Sequence, residues 1–111
     1  MAERVSDLLE EVSGIMGYAS RIEPESMKAF GGFNQAVLKP GHLDVKTKEL
    51  IAVALSLSST CEWCITYHAK AALAAGARKE ELVEAGMVAV LMAGAPALMH
   101  MNLLKNVLEE G

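Results

Sequence analysis

Two cysteines stand three positions apart in Cys61-Glu62-Trp63-Cys64, and His68 follows the second by four. On a helix, spacings of three and four place all three side chains on one face. Cysteines so placed come close enough to close a disulfide and reopen it. At the start of a helix the unpaired N–H groups and the partial positive charge stabilise a thiolate. An imidazole one turn further along can take the thiol proton, directly or through a water. Glu49 is the other singular residue: it is the last charge before the twelve uncharged residues Leu50 to Cys61. It shares a helical stripe with Val45, Ala52, Val53 and Ser56. A carboxylate in such small, mostly apolar surroundings can pass protons. Taken alone, a Glu in the first turns of a helix is equally an exposed residue favoured by the dipole.

Other chemistries fit these residues less well. A Cys pair can be an inert part of a core, and His68 a satisfied interior histidine. A zinc site built on Cys61, Cys64 and His68 needs a fourth ligand, usually from a second Cys or His pair. The sequence has no such pair, and only His42 or His100 remains to serve. Haem attachment requires His directly after the second Cys, where Ile65 stands. Neither a metal nor an organic cofactor is expected.

The elements that must hold these residues are helices. No segment alternates apolar and polar residues, and Ala, Leu, Met, Glu and Lys dominate. The expected fold is all-α, a bundle of about six helices forming one domain over residues 1–111. The first helix runs from about Ala2 to Gly17, with Val5, Leu8, Leu9, Val12, Ile15 and Met16 along one side. The second begins near Pro24 and ends near Leu38, turning Met27, Phe30 and Val37 inward; Gly31-Gly32 marks a kink or a close helix crossing. Asp44 caps a third helix from about Val45 to Ser58, apolar nearly all round and therefore central. Ser59-Thr60-Cys61-Glu62 reads as a capping box that starts a fourth, which stops at Gly76. Arg78 to Ala93 is the fifth, and Ala97 to Glu109 the sixth, after Gly94-Ala95-Pro96.

Composition limits the partners. Ten basic and fourteen acidic residues give a formal charge of −4, which argues against nucleic acid. The opening MAERVSDLLEEV lacks the apolar core of a secretory signal, and two cysteines are too few for an extracellular disulfide framework. A reducing, cytoplasmic setting is the expected default. Residues 85–104 carry no Asp, Glu, Lys or Arg, a length able to span a bilayer, but they contain Gly86, Gly94, Pro96, His100 and Asn102. No aromatic belt or basic cluster flanks them, so a buried or interface helix is expected rather than a membrane span. One small domain cannot bury every apolar face of the last two helices, and symmetric association would cover them.

The spacing Glu49, eleven residues, Cys61, two residues, Cys64, three residues, His68 resembles the signature of the alkylhydroperoxidase D-like branch of the carboxymuconolactone decarboxylase family. The surrounding stretch from Leu38 to Val90, with its Gly76-Ala77 stop, is similar as well, and the resemblance extends over roughly residues 25–105. It implies an all-helical fold that sets Glu49 beside the cysteine pair. It implies a thiol cycle that reduces a hydroperoxide, with Glu49 and His68 as proton relay and an external dithiol as reductant. It also implies a homo-oligomer, typically a hexamer. The decarboxylase branch generally lacks the cysteines. Some peroxidase members carry His between them, where this chain has Trp63. The catalytic set is therefore expected to be Glu49, Cys61, Cys64 and His68, with Cys64 attacking and Cys61 closing the disulfide, or the reverse. The alternatives are a lactone decarboxylase using Glu49 and His68 as acid and base, and a non-enzymatic helical assembly whose cysteines sense redox state.

Overall fold

A computed structural model describes residues 2–110. Six helices follow one another: α1 (Ala2–Ile22), α2 (Pro24–Leu38), α3 (Val45–Ser58), α4 (Glu62–Ala74), α5 (Lys79–Ala93) and α6 (Ala95–Glu110), with no strand among the described residues. The all-α expectation holds, and the helix count with it.

Several boundaries follow from local chemistry. Asp44 caps α3 by accepting the Thr47 N–H at 2.8 Å, and bonding to Thr47 holds its carboxyl below the usual carboxylate range. Glu81 accepts the backbone N–H of Arg78 at 2.8 Å at the start of α5 and pairs with Lys46 at 3.0 Å. These contacts, the Arg78 N–H foremost, lower its pKa too. At the end of α4, Gly76 N–H donates to the Leu73 carbonyl and Ala77 N–H to that of Ala72, with Gly76 at φ +98°. This paired closure needs a left-handed residue just past the helix. A Cβ on Gly76 would meet nothing within 4 Å, so Gly76→Ala pays only for backbone strain. It should lower stability by about 1–2 kcal/mol in urea unfolding, and no loss would mean that the turn relaxes freely.

Four details depart from the expectations. The helix α1 does not stop at Gly17; it runs to Ile22 and ends where Pro24 pushes Glu23 out of helical geometry, to φ −130° and ψ 66°. Gly31 and Gly32 lie within a continuous α2, and a Cβ at either would meet nothing within 4 Å, so no close crossing occurs there. Nor does α2 turn Phe30 and Val37 inward: it has no buried residue, because it touches only α1 and a little of α3. Finally, α6 starts at Ala95, two residues early, with Pro96 in its first turn, where a missing N–H costs nothing.

The core gathers Val5 and Leu8 of α1, Val53 and Leu57 of α3, Ile65, Ala69 and Ala72 of α4, Leu82 and Ala89 of α5, and Leu104 and Val107 of α6. Central α3 touches every later helix as well as α2. It is less enclosed than its all-round apolarity implies, since Ile51 and Leu55 face outward. Where α5 crosses α3 and α6, Gly86 allows the close approach: a Cβ there would lie 2.9 Å from Met101 Cε and 3.3 Å from Leu57 Cδ1. Two lysines fasten the first turns of α3. Lys46 reaches α5 through Glu81, and Lys48 Nζ donates to the carbonyls of Val37 and Lys39, at 2.7 and 2.6 Å, where α2 ends.

Candidate active site

The site lies where α4 begins, against α3 and α1. Ser59 does not cap α4. Its N–H and hydroxyl bond back to Leu55 of α3, and Thr60 at φ 54° separates the two helices. Cys61 is the N-cap instead, its sulfur accepting the Cys64 N–H at 3.2 Å. The Ser-to-Glu spacing of a capping box is thus present in the sequence but placed two residues too early. Glu62 is the first residue of the helix, and its carboxylate turns to Arg4. Cys61 and Cys64 are joined as a disulfide with their Cα atoms 5.2 Å apart, inside the range that such a bond requires.

One turn into α4, His68 Nδ1 lies 2.7 Å from Glu49 Oε1 on α3. Glu49 is only 5% exposed, and the exposed-residue reading of it is overturned. A carboxylate only accepts, so this bond places a proton on Nδ1 and leaves Nε2, turned away from Glu49, as the nitrogen that can exchange one in proton transfer. The helix pair α3–α4 therefore brings together a buried carboxylate, an imidazole oriented by it, and two sulfurs. Neither His42 nor His100 joins them: His42 is exposed in the α2–α3 turn, and His100 Nδ1 bonds the Pro96 carbonyl at 2.8 Å. Among the described residues, no three His, Cys, Asp or Glu side chains gather as a metal site.

Cys61, Cys64 and His68 open onto a groove of about 860 Å³ between α4 and the α1–α2 pair. Leu9, Val12, Ile15, Met16 and Phe30 make its wall apolar, while Glu11, Asn34, Trp63 and Tyr67 supply polar atoms. No Lys or Arg lines it. Sequence periodicity missed this groove because it assigns Ile15, Met16 and Phe30 to the core, where they do not lie. The clue was available: the apolar stripe on α1 is longer than one small core can cover.

The match to known proteins covers the same elements. The model of the carboxymuconolactone decarboxylase family fits residues 24–104, from the start of α2 into α6. The chain belongs to that family. A family member from Legionella pneumophila, crystallised in its apo form, superposes with a TM-score of 0.92 at 35% identity, over 97% of this chain and 96% of that one. A second, from Thermotoga maritima, for which a part in the antioxidative response has been suggested, gives 0.83 at 34% identity over 94% and 88%. An uncharacterised protein of the cox locus of Paracoccus denitrificans is 37% identical over 102 residues, 92% of each chain. The uncharged run 85–104 is divided by Gly94, at φ +80°, into parts of α5 and α6. No helix among the described residues is long and apolar enough to cross a membrane.

Proposed function

We propose that this family member is a thiol-dependent hydroperoxide reductase. The observation that carries the reading is the disulfide pair opening onto the same groove as an imidazole oriented by buried Glu49. In the reduced enzyme, His68 Nε2 takes the Cys64 proton. The Cys64 thiolate attacks the terminal peroxide oxygen, the O–O bond breaks, and the alcohol leaves with the proton returned by His68. Cys64 is then a sulfenic acid. Cys61 then gives up its thiol proton and attacks that sulfur, the S–O bond breaks, and the departing hydroxide takes the proton to leave as water, which gives the disulfide. An external dithiol restores both thiols and is itself oxidised by the same two electrons. Such a donor belongs to a reducing compartment, and the cytoplasm is the proposed location.

Charge favours this reading over a lactone decarboxylase. A carboxylated lactone would enter a groove with no cationic side chain and with Glu11 at its rim. The decarboxylase reading also needs no cysteine. The N-cap position of Cys61 supports the reverse order of attack, with Cys61 as peroxide nucleophile. Single-cysteine variants decide between the two orders. With one equivalent of peroxide and a sulfenic-acid trap, Cys61→Ser should be labelled at Cys64 and Cys64→Ser should not. Labelling only in Cys64→Ser reverses the roles. No labelling in either variant, with native thiols untouched by peroxide, removes the thiol cycle.

A homo-oligomer, as a hexamer, is proposed for the working state. Leu91 and Met92, each 80% exposed, and Met99 at 66% lie in the uncharged stretch shared by α5 and α6. Apolar surface of this kind is normally covered by a partner.

A further inference from the structure

Both residues between the cysteines are tied to α1. Arg4 Nη2 meets Glu62 Oε2 at 2.5 Å, and Trp63 Nε1–H donates to Glu11 Oε1 at 2.7 Å. Arg4 and Glu11 are two helical turns apart, so they share one face of α1 at points about 10 Å apart along its axis. Between them, buried Val5 and Leu8 hold α1 against the core. Glu62 and Trp63 are the first two residues of α4, and successive side chains on a helix diverge by about 100°. Two bonds that leave one turn in different directions, to separated points on a packed helix, resist its rotation and its fraying. That turn has Cys61 at one end and Cys64 at the other.

We propose that Arg4 and Glu11 are positioning residues for the redox pair: by holding Glu62 and Trp63 they keep the two sulfurs at bonding distance and make the disulfide harder to reduce. The inference rests on the redox role proposed for the pair. A disulfide confines its Cα atoms to a narrow range, and here they are 5.2 Å apart. Two thiols carry no such constraint, and non-bonded sulfurs need more room, so the reduced turn relaxes unless it is held. A tie that fits the closed turn and opposes the relaxed one moves the exchange equilibrium towards the disulfide. Each tie is partly exposed and contributes little to global stability; its effect falls on the thiol equilibrium.

The test is exchange of the full chain with dithiothreitol. One protein disulfide and one dithiothreitol give two protein thiols and cyclic oxidised dithiothreitol, two electrons and two protons passing across. Thiol alkylation reads the equilibrium constant. Glu11→Leu and Arg4→Ala should each make the disulfide about 3–10-fold easier to reduce. Glu11→Gln keeps an acceptor oxygen for the indole N–H and should stay within twofold of native. Trp63→Phe should match Glu11→Leu, and combining the two should add nothing further. Equilibrium constants within twofold of native in Glu11→Leu and Arg4→Ala, even with a lowered melting temperature, would reduce the ties to structural bonds and overturn the proposal. A native chain that keeps two free thiols after one equivalent of hydroperoxide would overturn the redox role itself, and the positioning role with it.

Discussion

Replacement of His68 by Phe should slow peroxide-dependent thiol turnover by about 10²–10⁴-fold, the usual contribution of a positioned acid or base. The ring is half-buried between the groove and Glu49, so Phe fills the space while removing both nitrogens. Glu49→Gln tests the other half of the relay more cleanly. Its side-chain oxygen still accepts the Nδ1–H now bonded at 2.7 Å, so the tautomer and the packing survive. What disappears is the negative charge that would stabilise the imidazolium formed when His68 takes a proton. A loss of comparable size in Glu49→Gln, with an unchanged unfolding midpoint, therefore measures chemistry rather than stability. The double variant should cost little more than the worse single one, because the two residues act as a unit. Fully multiplicative losses would assign them to separate tasks, and undiminished turnover in both would remove the relay.

The second large effect concerns assembly. The native chain should elute as a hexamer without detergent, and Met92→Glu should weaken that assembly by at least ~10²-fold. Met92 is 80% exposed within one chain, so a carboxylate there meets water and the single-chain fold is preserved. Covered by a symmetry mate, the methionine is worth about 1.5–3 kcal/mol, and a buried carboxylate in its place carries a desolvation penalty as well. A two-fold interface applies both terms twice. Light scattering together with circular dichroism checks this: a smaller species of unchanged helicity is expected for the variant. A native species of 11.8 kDa would leave the apolar faces of α5 and α6 without the proposed partner.

Much of this was legible in the residues themselves. Pro24, Asp44, Gly76 and Gly94 each carry a local cost or bond that fixes a helix end, and those ends fell where expected. The spacing from Cys61 to His68 lies within one helix, so its geometry follows from helical pitch alone. Glu49 was harder. Its stripe marked it as unusual, but burial and the bond to His68 depend on how α3 meets α4, which spacing does not determine. Local reasoning erred where two signals competed. Ser59 and Glu62 have capping-box spacing, yet Thr60 in the left-handed region gives Ser59 to α3 and the cap to Cys61. Gly17 resembles a stop, yet Tyr18 to Ile22 continue the helix. The tie from Trp63 to Glu11 joins residues 52 positions apart, and nothing local announces it.

The absence of any buried residue in α2 bears on what the groove will accept. Glu49, the carboxylate proposed for the relay, is buried on a helix tied through Lys46 to α5, and its histidine partner lies on a helix with a well-filled core face. The opposite wall contains Phe30 and Asn34, carried by a helix that has little apolar contact to lose when it shifts. Elements with few buried contacts open at the low end of the local stability scale. One side of the groove is thus fixed and the other is yielding. If the proposed peroxide chemistry holds, a bulkier hydroperoxide should be accommodated by α2 rather than by the turn that carries the sulfurs, and substrates of different size should be reduced at similar rates.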